Sequence, residues 1–597
     1  MEHFRTKKTL VRSGIILVSL LVLLGVSGGV SLAFTPAGWF RTVDLDVNLT
    51  REEKESLLDY AFSKLSSGDV LERSLKDFPA DDARRVLFLS SSNGESPAVI
   101  GIGEGKGYRK ALDAAIAALT EKPERPLWVK IDVLDAIQLR CNEPLTEPVA
   151  IQTGIEGFAF RECPACTFFA EIVVTKGIIG DNGFLSGETF VREGGPRARE
   201  FFRQLLDAQA ADRMDFRTTS FIKDENGFRE VSRGRQDGDL SARDLMGLSK
   251  RAARYLSGMV KPSGRFVYRY DPLEDRKLGG YNILRHAGTL YSMLEYHRVA
   301  DESEVFESAR RALVYLLDHI HTIERDGVTM ACVVEDGEVK LGGNGLGALA
   351  IAMYIEVTGE REYLPVLQKL CEWMIHVQDR SGRFLVHKED FPDGPVSEFR
   401  SSYYPGEAIF GLMRTFEIDG DTRWLEAADA AARYLITVRD RGLRAVQLPH
   451  DHWLLYGLNE LYRQKEDPLF ANHAFRIAGA IMGAQNRNLA AAEWNGGFGF
   501  HPRSTPAATR MEGLGAAYRI ALAAGNRKQQ EALIESLQLG NAFLLRTVID
   551  PSWAMYMKNP ARAVGGVRKS LDDFEVRIDY VQHSLSAFLS MAAILEK

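Results

Sequence analysis

Residues 403–438 read YYPGEAIFGLMRTFEIDGDTRWLEAADAAARYLITV. A helix rich in small and apolar residues is predicted to begin near Tyr404, and an amphipathic helix is predicted over 421–438. Asp419-Gly420-Asp421 supplies the turn residues between them. The stretch therefore predicts a helical hairpin, in which one helix is buried and the other has a solvent face.

The same alternation fills the chain from Ser241 to its end, with hardly any β-rich run. Amphipathic outer helices are predicted over 242–259, 303–322, 361–378, 421–438, 467–486 and 526–547. Inner helices, richer in Gly, Ala and Leu, are predicted to begin near 282, 344, 404, 451, 511 and 578. Gly288, Gly347 and Gly406 follow one another at intervals of 59 residues, each three positions after a polar residue. Six helical hairpins in a loose repeat are predicted, and an irregular helical bundle is the alternative.

On these helix pairs, their openings and the strings Tyr404-Pro405-Gly406-Glu407-Ala408-Ile409 and Asp419-Gly420-Asp421-Thr422-Arg423-Trp424, residues 241–597 resemble the six-hairpin (α/α)6 toroid superfamily. That superfamily includes glycoside hydrolases, polysaccharide lyases and sugar epimerases. The resemblance implies an all-α toroid with a carbohydrate-active site. In such a toroid the N-termini of all inner helices lie at one end, so polar residues near them converge on one funnel.

The residues at these openings form the predicted site. Those predicted to include the catalytic groups are Glu407, Asp451, Glu512, Asp579, His286, His583 and Tyr404. Those predicted to bind substrate are Asn282, Arg285, Asn344, Arg400, Tyr403, His450, His452, Trp453, Trp494, Arg510, Arg577 and Tyr580. Structural roles remain open for several of them: Asp451 as a helix N-cap, the histidines and tyrosines as packed core residues, and Glu407 and Glu512 as partners of the helix dipole.

Three functions fit these residue types. Paired carboxylates with aromatic side chains suit glycoside hydrolysis, which we place first. Arginines beside tyrosines and histidines suit a uronate C5-epimerase or a lyase, which removes a proton next to a carboxylate. A non-catalytic glycan-binding or assembly protein is the third hypothesis. An oligo- or polysaccharide, acidic ones included, is the expected substrate.

Other partners and cofactors are not expected. Lys and Arg number 74 against 81 Asp and Glu, a net charge of -7, which gives no basic surplus for nucleic acid. His450 and His452 are two residues apart and do not share a helix face, so no metal is predicted. Cys163-Pro164-Ala165-Cys166 lacks the βαβ context of a redox motif, which favours a disulfide or inert thiols. No cofactor is predicted.

The N-terminal part is predicted to differ from the toroid. Residues 1–34 form a signal-anchor, because four basic residues precede an uncharged run from Ile15 to Phe34; we favour a retained anchor over cleavage at Ser31-Leu32-Ala33. The rest of the chain is then extracytoplasmic. Residues 40–222 mix β-rich runs (86–89, 127–133, 168–174) with helices and predict an α+β accessory domain, and polar residues 223–240 predict a linker.

Gly101-Ile102-Gly103, an alanine-rich helix and Gly177-Ile178-Ile179-Gly180 give the accessory domain a weak resemblance to the AMMECR-type α+β domain. The Arg-Gly-Cys-Ile-Gly signature of that family is not present, so no residue role is carried over from it. No histidine occurs between His3 and His286, which makes this domain a binding or assembly module rather than a catalytic one.

Overall fold

The computed structural model describes most of the chain. The described residues are 30–35, 38–66, 81–119, 126–144, 155–160, 163–179, 184–208, 210–231, 240–489 and 492–596. They divide into two compact units. The first comprises the described parts of 1–235 with Pro272–Asp275 and Asp550–Val564, and the second comprises Gln236–Asp271, Arg276–Ile549 and Gly565–Lys597.

The first unit is built on one antiparallel sheet, which has nine strands within the described residues. They are β1 (Val30–Thr35), β2 (Gly38–Asp44), β3 (Arg84–Ser92), β4 (Val99–Lys106), β5 (Trp128–Pro144), β6 (Gly157–Phe160), β7 (Cys163–Phe168), β8 (Ala210–Asp224) and β9 (Gly227–Glu230). The main path runs β1-β2-β5-β8-β6-β7, while β3 pairs with β4 and β5, and β9 pairs with β8. The long strands β5 and β8 lie in the middle of this path and pair with each other.

Before residue 235, the described part of the chain has four helices beside this sheet. They are α1 (Arg51–Ser66), α2 (Gly107–Ala118), α3 (Ala170–Thr175) and α4 (Gly187–Ala208). The apolar faces of α1 and α2 pack with residues of β3 and β5, including Leu89 and Ile131, in one core. A second, phenylalanine-rich core surrounds Cys163 and Cys166, which form a disulfide.

Several sequence-based predictions in this unit need correction. The run 168–174 is not a strand: β7 ends at Phe168, and residues 170–175 form α3. The proposed linker begins too early, because β8 continues to Asp224 and forms a hairpin with β9; residues 232–239 lie outside the described part. Alternating apolar residues were too few in 223–230 to signal a strand whose partner is the long β8. The resemblance to the AMMECR-type domain stays a prediction.

The predicted signal-anchor falls mostly outside the described residues, which begin at Val30. Its last five residues belong to β1, which pairs with β2. Among the described residues, none of the helices combines the length and the apolar character needed to cross a membrane.

The second unit is mostly helical. The helices after residue 240 are α5 (Ala242–Met259), α6 (Ile283–Ala300), α7 (Ser303–Leu317), α8 (Leu341–Thr358), α9 (Leu364–His376), α10 (Tyr404–Asp419), α11 (Thr422–Tyr434), α12 (His452–Lys465), α13 (Pro468–Ala484), α14 (Ser504–Ala523), α15 (Arg527–Thr547), α16 (Pro551–Ala554), α17 (Pro560–Ala563) and α18 (Ile578–Leu595). The short helices α16 and α17 lie in the segment that belongs to the first unit.

Six of these helices close a ring. Helix α6 contacts α8, and the contacts continue through α10, α12, α14 and α18 back to α6. These are the inner helices, and they are buried along most of their length. The outer helices α5, α7, α9, α11, α13 and α15 pack around them. The second unit is a six-hairpin (α/α)6 toroid.

The two ends of the toroid differ in their connections. Each of the first five inner helices is joined to the following outer helix by a turn of two to five residues. Long connections lead from each outer helix to the next inner helix; they are 260–282, 318–340, 377–403, 435–451, 485–503 and 548–577. The inner helices therefore run parallel, and all their N-termini lie at the end of the long connections.

Those connections hold short strands that the sequence did not indicate. They are β10 (Arg269–Asp271), β11 (Arg276–Leu278), β12 (Ile320–Arg325), β13 (Val328–Glu335), β14 (Glu338–Lys340), β15 (Lys388–Asp390) and β16 (Val576–Arg577). The helix expected over 303–322 accordingly ends at Leu317.

Two inner helices begin earlier than predicted. Helix α14 begins at Ser504 rather than 511, because Pro506 is tolerated in a first helical turn. Helix α8 begins at Leu341 rather than 344.

Small residues let the inner helices approach closely. A Cβ atom on Gly345 of α8 would lie 2.6 Å from the backbone carbonyl of Glu407 in α10, and one on Gly411 would lie 2.6 Å from the carbonyl oxygen of Gly345. These helices are rich in glycine because a side chain at such positions would keep the backbones of neighbouring inner helices apart.

Candidate functional site

Two histidines and a glutamate from three inner helices meet at the end of the long connections. His452 opens α12, Glu512 lies in the third turn of α14, and His583 lies in the second turn of α18. The Nδ1 atom of His583 is 3.1 Å from Oε1 of Glu512, and Nε2 of His452 is 3.6 Å from Oε2 of the same carboxylate. The two imidazole rings are nearly perpendicular, with centroids 5.2 Å apart. We call these residues the acid–base cluster.

The acid–base cluster is buried, and burial sets its electrostatics. Burial raises the pKa of Glu512 to about 7, with His583 opposing the shift. Burial holds the pKa of His452 well below its usual range, and the charges of His583 and Arg510 add to this effect. Neither ring nitrogen of His452 has a hydrogen-bond partner among the described residues. His452 is therefore a neutral imidazole with unused polar atoms in a buried site.

His583 is oriented by its neighbours. Its Nδ1 atom faces Glu512 and also lies 3.2 Å from the side-chain nitrogen of Gln582. We assign the Nδ1 proton to the shorter contact with Glu512, as the hydrogen-bond network indicates. That tautomer leaves Nε2 of His583 as a base, in the way that a carboxylate orients histidine in many acid–base sites.

Glu407 and Asp451 form a second group, the carboxylate pair. Asp451 caps α12 by accepting a hydrogen bond from the Leu454 N–H at 3.0 Å, and Glu407 lies in the first turn of α10. Burial raises the pKa of Glu407 to about 8, with the charge of Asp451 adding to the shift. Burial also raises the pKa of Asp451 to about 7. One oxygen of each carboxylate has no hydrogen-bond partner in the described part of the chain.

Arg439, which the sequence did not single out, affects this pair. It lies in the connection before α12, is bound to Asp440, and its charge opposes the rise in the pKa of Asp451. The residue ends a π-helical segment, Leu435–Arg439, that continues from outer helix α11, and its distance in sequence from the inner-helix opening concealed it. His387, in the connection before α10, was missed for the same reason; it accepts a hydrogen bond from the Ser401 N–H at 3.0 Å and lies beside Tyr404.

Asp579 lies between two arginines. Arg577 donates to both of its oxygens, at 2.5 and 2.9 Å, and Nε of Arg285 lies 3.2 Å from Oδ2. Arg285 also donates to the Tyr268 hydroxyl at 2.7 Å. The Arg577 guanidinium lies 4.5 Å from the ring centroid of Tyr580. Because arginines engage both of its oxygens, the carboxylate of Asp579 is poorly suited to attack a substrate.

Trp453 and Tyr403 lie beside the acid–base cluster, and Tyr404 is influenced by Glu407 of the carboxylate pair. Trp453 lies 4.6 Å from His452 and 6.1 Å from His583, measured between ring centroids. Tyr403 lies 6.3 Å from His452 and is 43% exposed. Burial raises the pKa of Tyr404 to about 12, with the charge of Glu407 contributing. These contacts place the three aromatic residues beside the predicted acid–base groups.

Five predicted site residues have other partners. His286 is a core histidine between α6 and α7: its ring nitrogens contact the Tyr281 hydroxyl and the Ala312 carbonyl, each at 2.8 Å. Asn344 bonds the backbone of Val333 and Lys340, and Asn282 caps α6. Their positions near helix openings made them resemble site residues, but their side chains satisfy buried backbone groups.

Arg400 and Trp494 also lie apart from the acid–base cluster. Arg400 is exposed and donates to two backbone carbonyls of its own connection. Trp494 packs on Phe500 and His501 within the connection before α14. Both residues lie in long connections, whose course the sequence pattern does not reveal.

The acid–base cluster could also hold a metal ion. One ligand atom from each of its three residues lies within 4.8 Å of the others. Two imidazoles and a carboxylate are ligands that Zn²⁺ accepts. Two ligand atoms bound at about 2.0–2.2 Å to one tetrahedral ion lie about 3.3–3.6 Å from each other. The pair His583–Glu512 is at 3.1 Å and the pair His452–Glu512 is at 3.6 Å.

Solved structures of carbohydrate-active enzymes are similar to part of this chain. A GH76 alpha-1,6-mannanase from Salegentibacter sp. HEL1_6 is 10% identical, with 59% of this chain and 100% of that chain covered and a TM-score of 0.43. Cellobiose 2-epimerase from Bacillus thermoamylovorans B4167 is 12% identical, with 60% and 99% covered and a TM-score of 0.47. A D-mannose isomerase is 13% identical, with 59% and 97% covered and a TM-score of 0.44. The similarity is one of fold. No family model and no curated protein matches the chain.

Proposed function

We propose that the toroid is a carbohydrate-active enzyme that moves a proton to and from a sugar carbon, as an isomerase or epimerase does. The acid–base cluster carries the proposal. It combines two imidazoles with a carboxylate that bonds one of them, inside a buried site lined by aromatic rings. Sugar rings stack on such aromatic faces, while the imidazoles supply acid–base groups near neutral pH.

The proposed chemistry uses one histidine as the base. Nε2 of His583 takes the proton from the carbon next to the carbonyl of an open-chain sugar, and Glu512 stabilises the resulting imidazolium at Nδ1. The electron pair of the broken C–H bond forms a C=C bond, and the carbonyl electron pair moves onto its oxygen to give an enediolate. A proton returned to the other face of the same carbon restores the carbonyl and gives the epimer. A proton returned to the neighbouring carbon, with transfer of the hydroxyl proton to the first oxygen, gives the isomer. His452 is the second group in reach for that return.

Glycoside hydrolysis is the second candidate, and the carboxylate pair favours it. Burial keeps a proton on Glu407 near neutral pH, which is what a general acid needs to protonate a leaving oxygen. The negative charge of Asp451 disfavours ionisation of Glu407. Asp451 would then serve as the base or nucleophile. In the isomerase proposal the same protonated Glu407 donates a hydrogen bond to the sugar carbonyl oxygen.

One experiment separates these reactions. The protein is incubated in D₂O with a panel of neutral and acidic sugars and oligosaccharides, and the products are followed by NMR and mass spectrometry. Proton transfer at carbon predicts solvent deuterium in a C–H position, and hydrolysis predicts new reducing ends without it. A lyase would give an unsaturated product that absorbs in the ultraviolet. A panel with no turnover of any kind contradicts the proposed enzyme and favours a glycan-binding protein.

We also propose that the chain is held at a membrane with its described residues outside the cytoplasm. The basic residues that precede the uncharged run from Ile15 to Phe34 support this topology. A reporter that is active only outside the cytoplasm, fused after Lys597, should be active. Activity of a cytoplasmic reporter at the same position contradicts the topology.

A further inference from the structure

Four arginines of the predicted site differ in how their charges are balanced. Arg285 and Arg577 share the carboxylate of Asp579, and Arg400 is exposed to solvent. Arg510 differs from them, because it is partly buried and pairs with no carboxylate in the described part of the chain. Its guanidinium donates to Nδ1 of His450 at 2.9 Å and to the Pro506 carbonyl at 2.6 Å.

The surroundings of Arg510 hold it beside the acid–base cluster. Its guanidinium carbon lies 4.6 Å from the ring centroid of Phe498, within the range of a cation–π contact. Its charge lowers the pKa of His452 and of His450 and opposes the rise in the pKa of Tyr403. Arg510 lies two residues before Glu512 on α14, and its partner His450 lies two residues before His452, so the charge is close in sequence to two members of the acid–base cluster. Burial lowers the pKa of Arg510, and the only described anion-forming side chain that counters this is the tyrosine.

His450 supplies a second donor at the same place. Because its Nδ1 atom accepts the hydrogen bond from Nε of Arg510, the ring proton is on Nε2. His450 is half-buried, and a ring whose Nδ1 atom carries no proton is neutral. The pair therefore offers the N–H groups of Arg510 that do not bind His450 or Pro506, the Nε2–H of His450, and one net positive charge.

We infer that Arg510 and His450 bind the carboxylate of an acidic sugar, and that the substrate of the toroid is a uronate or a glycan with a terminal uronate. The inference rests on the proposed carbohydrate function. A guanidinium fork matches a planar carboxylate, and one positive charge balances one negative charge. A phosphate monoester, which carries more than one charge at neutral pH, would remain unbalanced at this site.

Binding of monosaccharides to the full chain tests the inference without requiring turnover. D-glucuronate and D-glucose differ by the carboxylate alone, so isothermal titration with both sugars isolates its contribution. We expect tighter binding of glucuronate, by about tenfold or more, as for a hydrogen bond to a charged group. Arg510→Gln should abolish this preference. Arg510→Lys, which keeps the charge but loses the fork, should retain a weakened preference that falls with salt.

Arg503→Gln is the matched control, because Arg503 is an exposed arginine one residue before the same helix. It removes an equal charge and should leave the preference unchanged. Thermal unfolding of each variant separates lost binding from lost folding. The inference is overturned if glucuronate binds no better than glucose, if Arg510→Gln keeps the preference in a folded protein, or if glucose 6-sulfate binds more tightly than glucuronate. Binding of glucuronate through Arg510 without turnover would sustain the inference and refute the proposed reaction.

Discussion

The Nδ1 atom of His583 lies 3.1 Å from the Oε1 atom of Glu512, although 71 residues separate them in the chain. The contact joins the last two inner helices of the ring, α14 and α18, at the end where all inner helices begin. It places a carboxylate behind an imidazole in a buried setting, which is the arrangement that fixes one tautomer and leaves the other ring nitrogen basic.

Glu512→Gln tests this contact directly. We expect a rate loss of about 10²–10⁴ on a confirmed substrate, as for other acid–base groups, because the amide cannot stabilise the imidazolium of His583. The volume is conserved, so the thermal midpoint should change little. His376→Gln, at the end of an outer helix, is the control and should keep the wild-type rate. Wild-type turnover by Glu512→Gln would remove the acid–base cluster from the mechanism.

Glu407 should make stability depend on pH. Its pKa is raised from 4.5 to about 8 in the folded chain, so the folded state holds a proton that the unfolded state has lost between these values. Stability should therefore fall as pH rises from about 5 to about 8. Glu407→Gln removes the ionisation, so this variant should be more stable than the wild type above pH 8 and should show a flatter profile. Urea unfolding at several pH values measures the difference; parallel profiles would contradict the raised pKa.

Asp451 has two separable roles. As the N-cap of α12 it accepts a backbone hydrogen bond, which asparagine can replace and alanine cannot. Asp451→Ala should lose about 0.5–2 kcal/mol of stability or more, whereas Asp451→Asn should keep the cap. If Asp451 also takes part in chemistry, Asp451→Asn loses turnover while it keeps its melting temperature. Equal turnover of Asp451→Asn and wild type would leave Asp451 as a cap alone.

Gly345 should not tolerate a side chain. An added Cβ would lie 2.6 Å from the backbone of Glu407, and backbone cannot move aside as a flexible side chain can. Gly345→Ala should therefore lower stability by more than about 1 kcal/mol. Gly479→Ala, in outer helix α13 with no atom within 4 Å of its added Cβ, should instead gain about 0.5–1 kcal/mol from helix propensity. Equal melting shifts in the two variants would contradict close packing of the inner helices.

Cleavage near the unit boundary should not release the toroid alone. Residues 550–564 come from the toroid part of the sequence but belong to the first unit, where the Tyr556 hydroxyl lies 2.8 Å from that of Ser90. A protease cut within 232–239 should give two fragments that co-elute in size exclusion and separate only in denaturant. Free elution of a folded fragment beginning near residue 240 would contradict this assignment and support the simple linear boundary that the sequence suggested.

Much of the toroid could be predicted from sequence because the patterns that specify each helical hairpin lie within that hairpin. The Asp419-Gly420-Asp421 turn, the caps and the alternation of apolar faces lie within single hairpins, and helix periodicity depends on neighbouring residues. Four of the six inner-helix openings, near Asn282, Tyr404, Asp451 and Ile578, were legible for the same reason. Predictions failed where a local pattern was ambiguous, as at Ser504, where the Gly-Leu-Gly string lies inside α14 rather than at its start.

Only the tertiary structure distinguished residues that share a position but not a role. His286 and His583 both follow the opening of an inner helix, yet the first bonds an outer helix and the second bonds Glu512. Arg285 and Arg510 are likewise alike in sequence, but among the described residues only the first has a carboxylate in reach. The direction of a side chain around a helix and the charges that surround it depend on neighbours far away in the chain. The sequence by itself thus determined the ring of hairpins and the end at which polar groups collect, whereas packing across the ring decided which of those groups are buried, paired or left with an unbalanced charge.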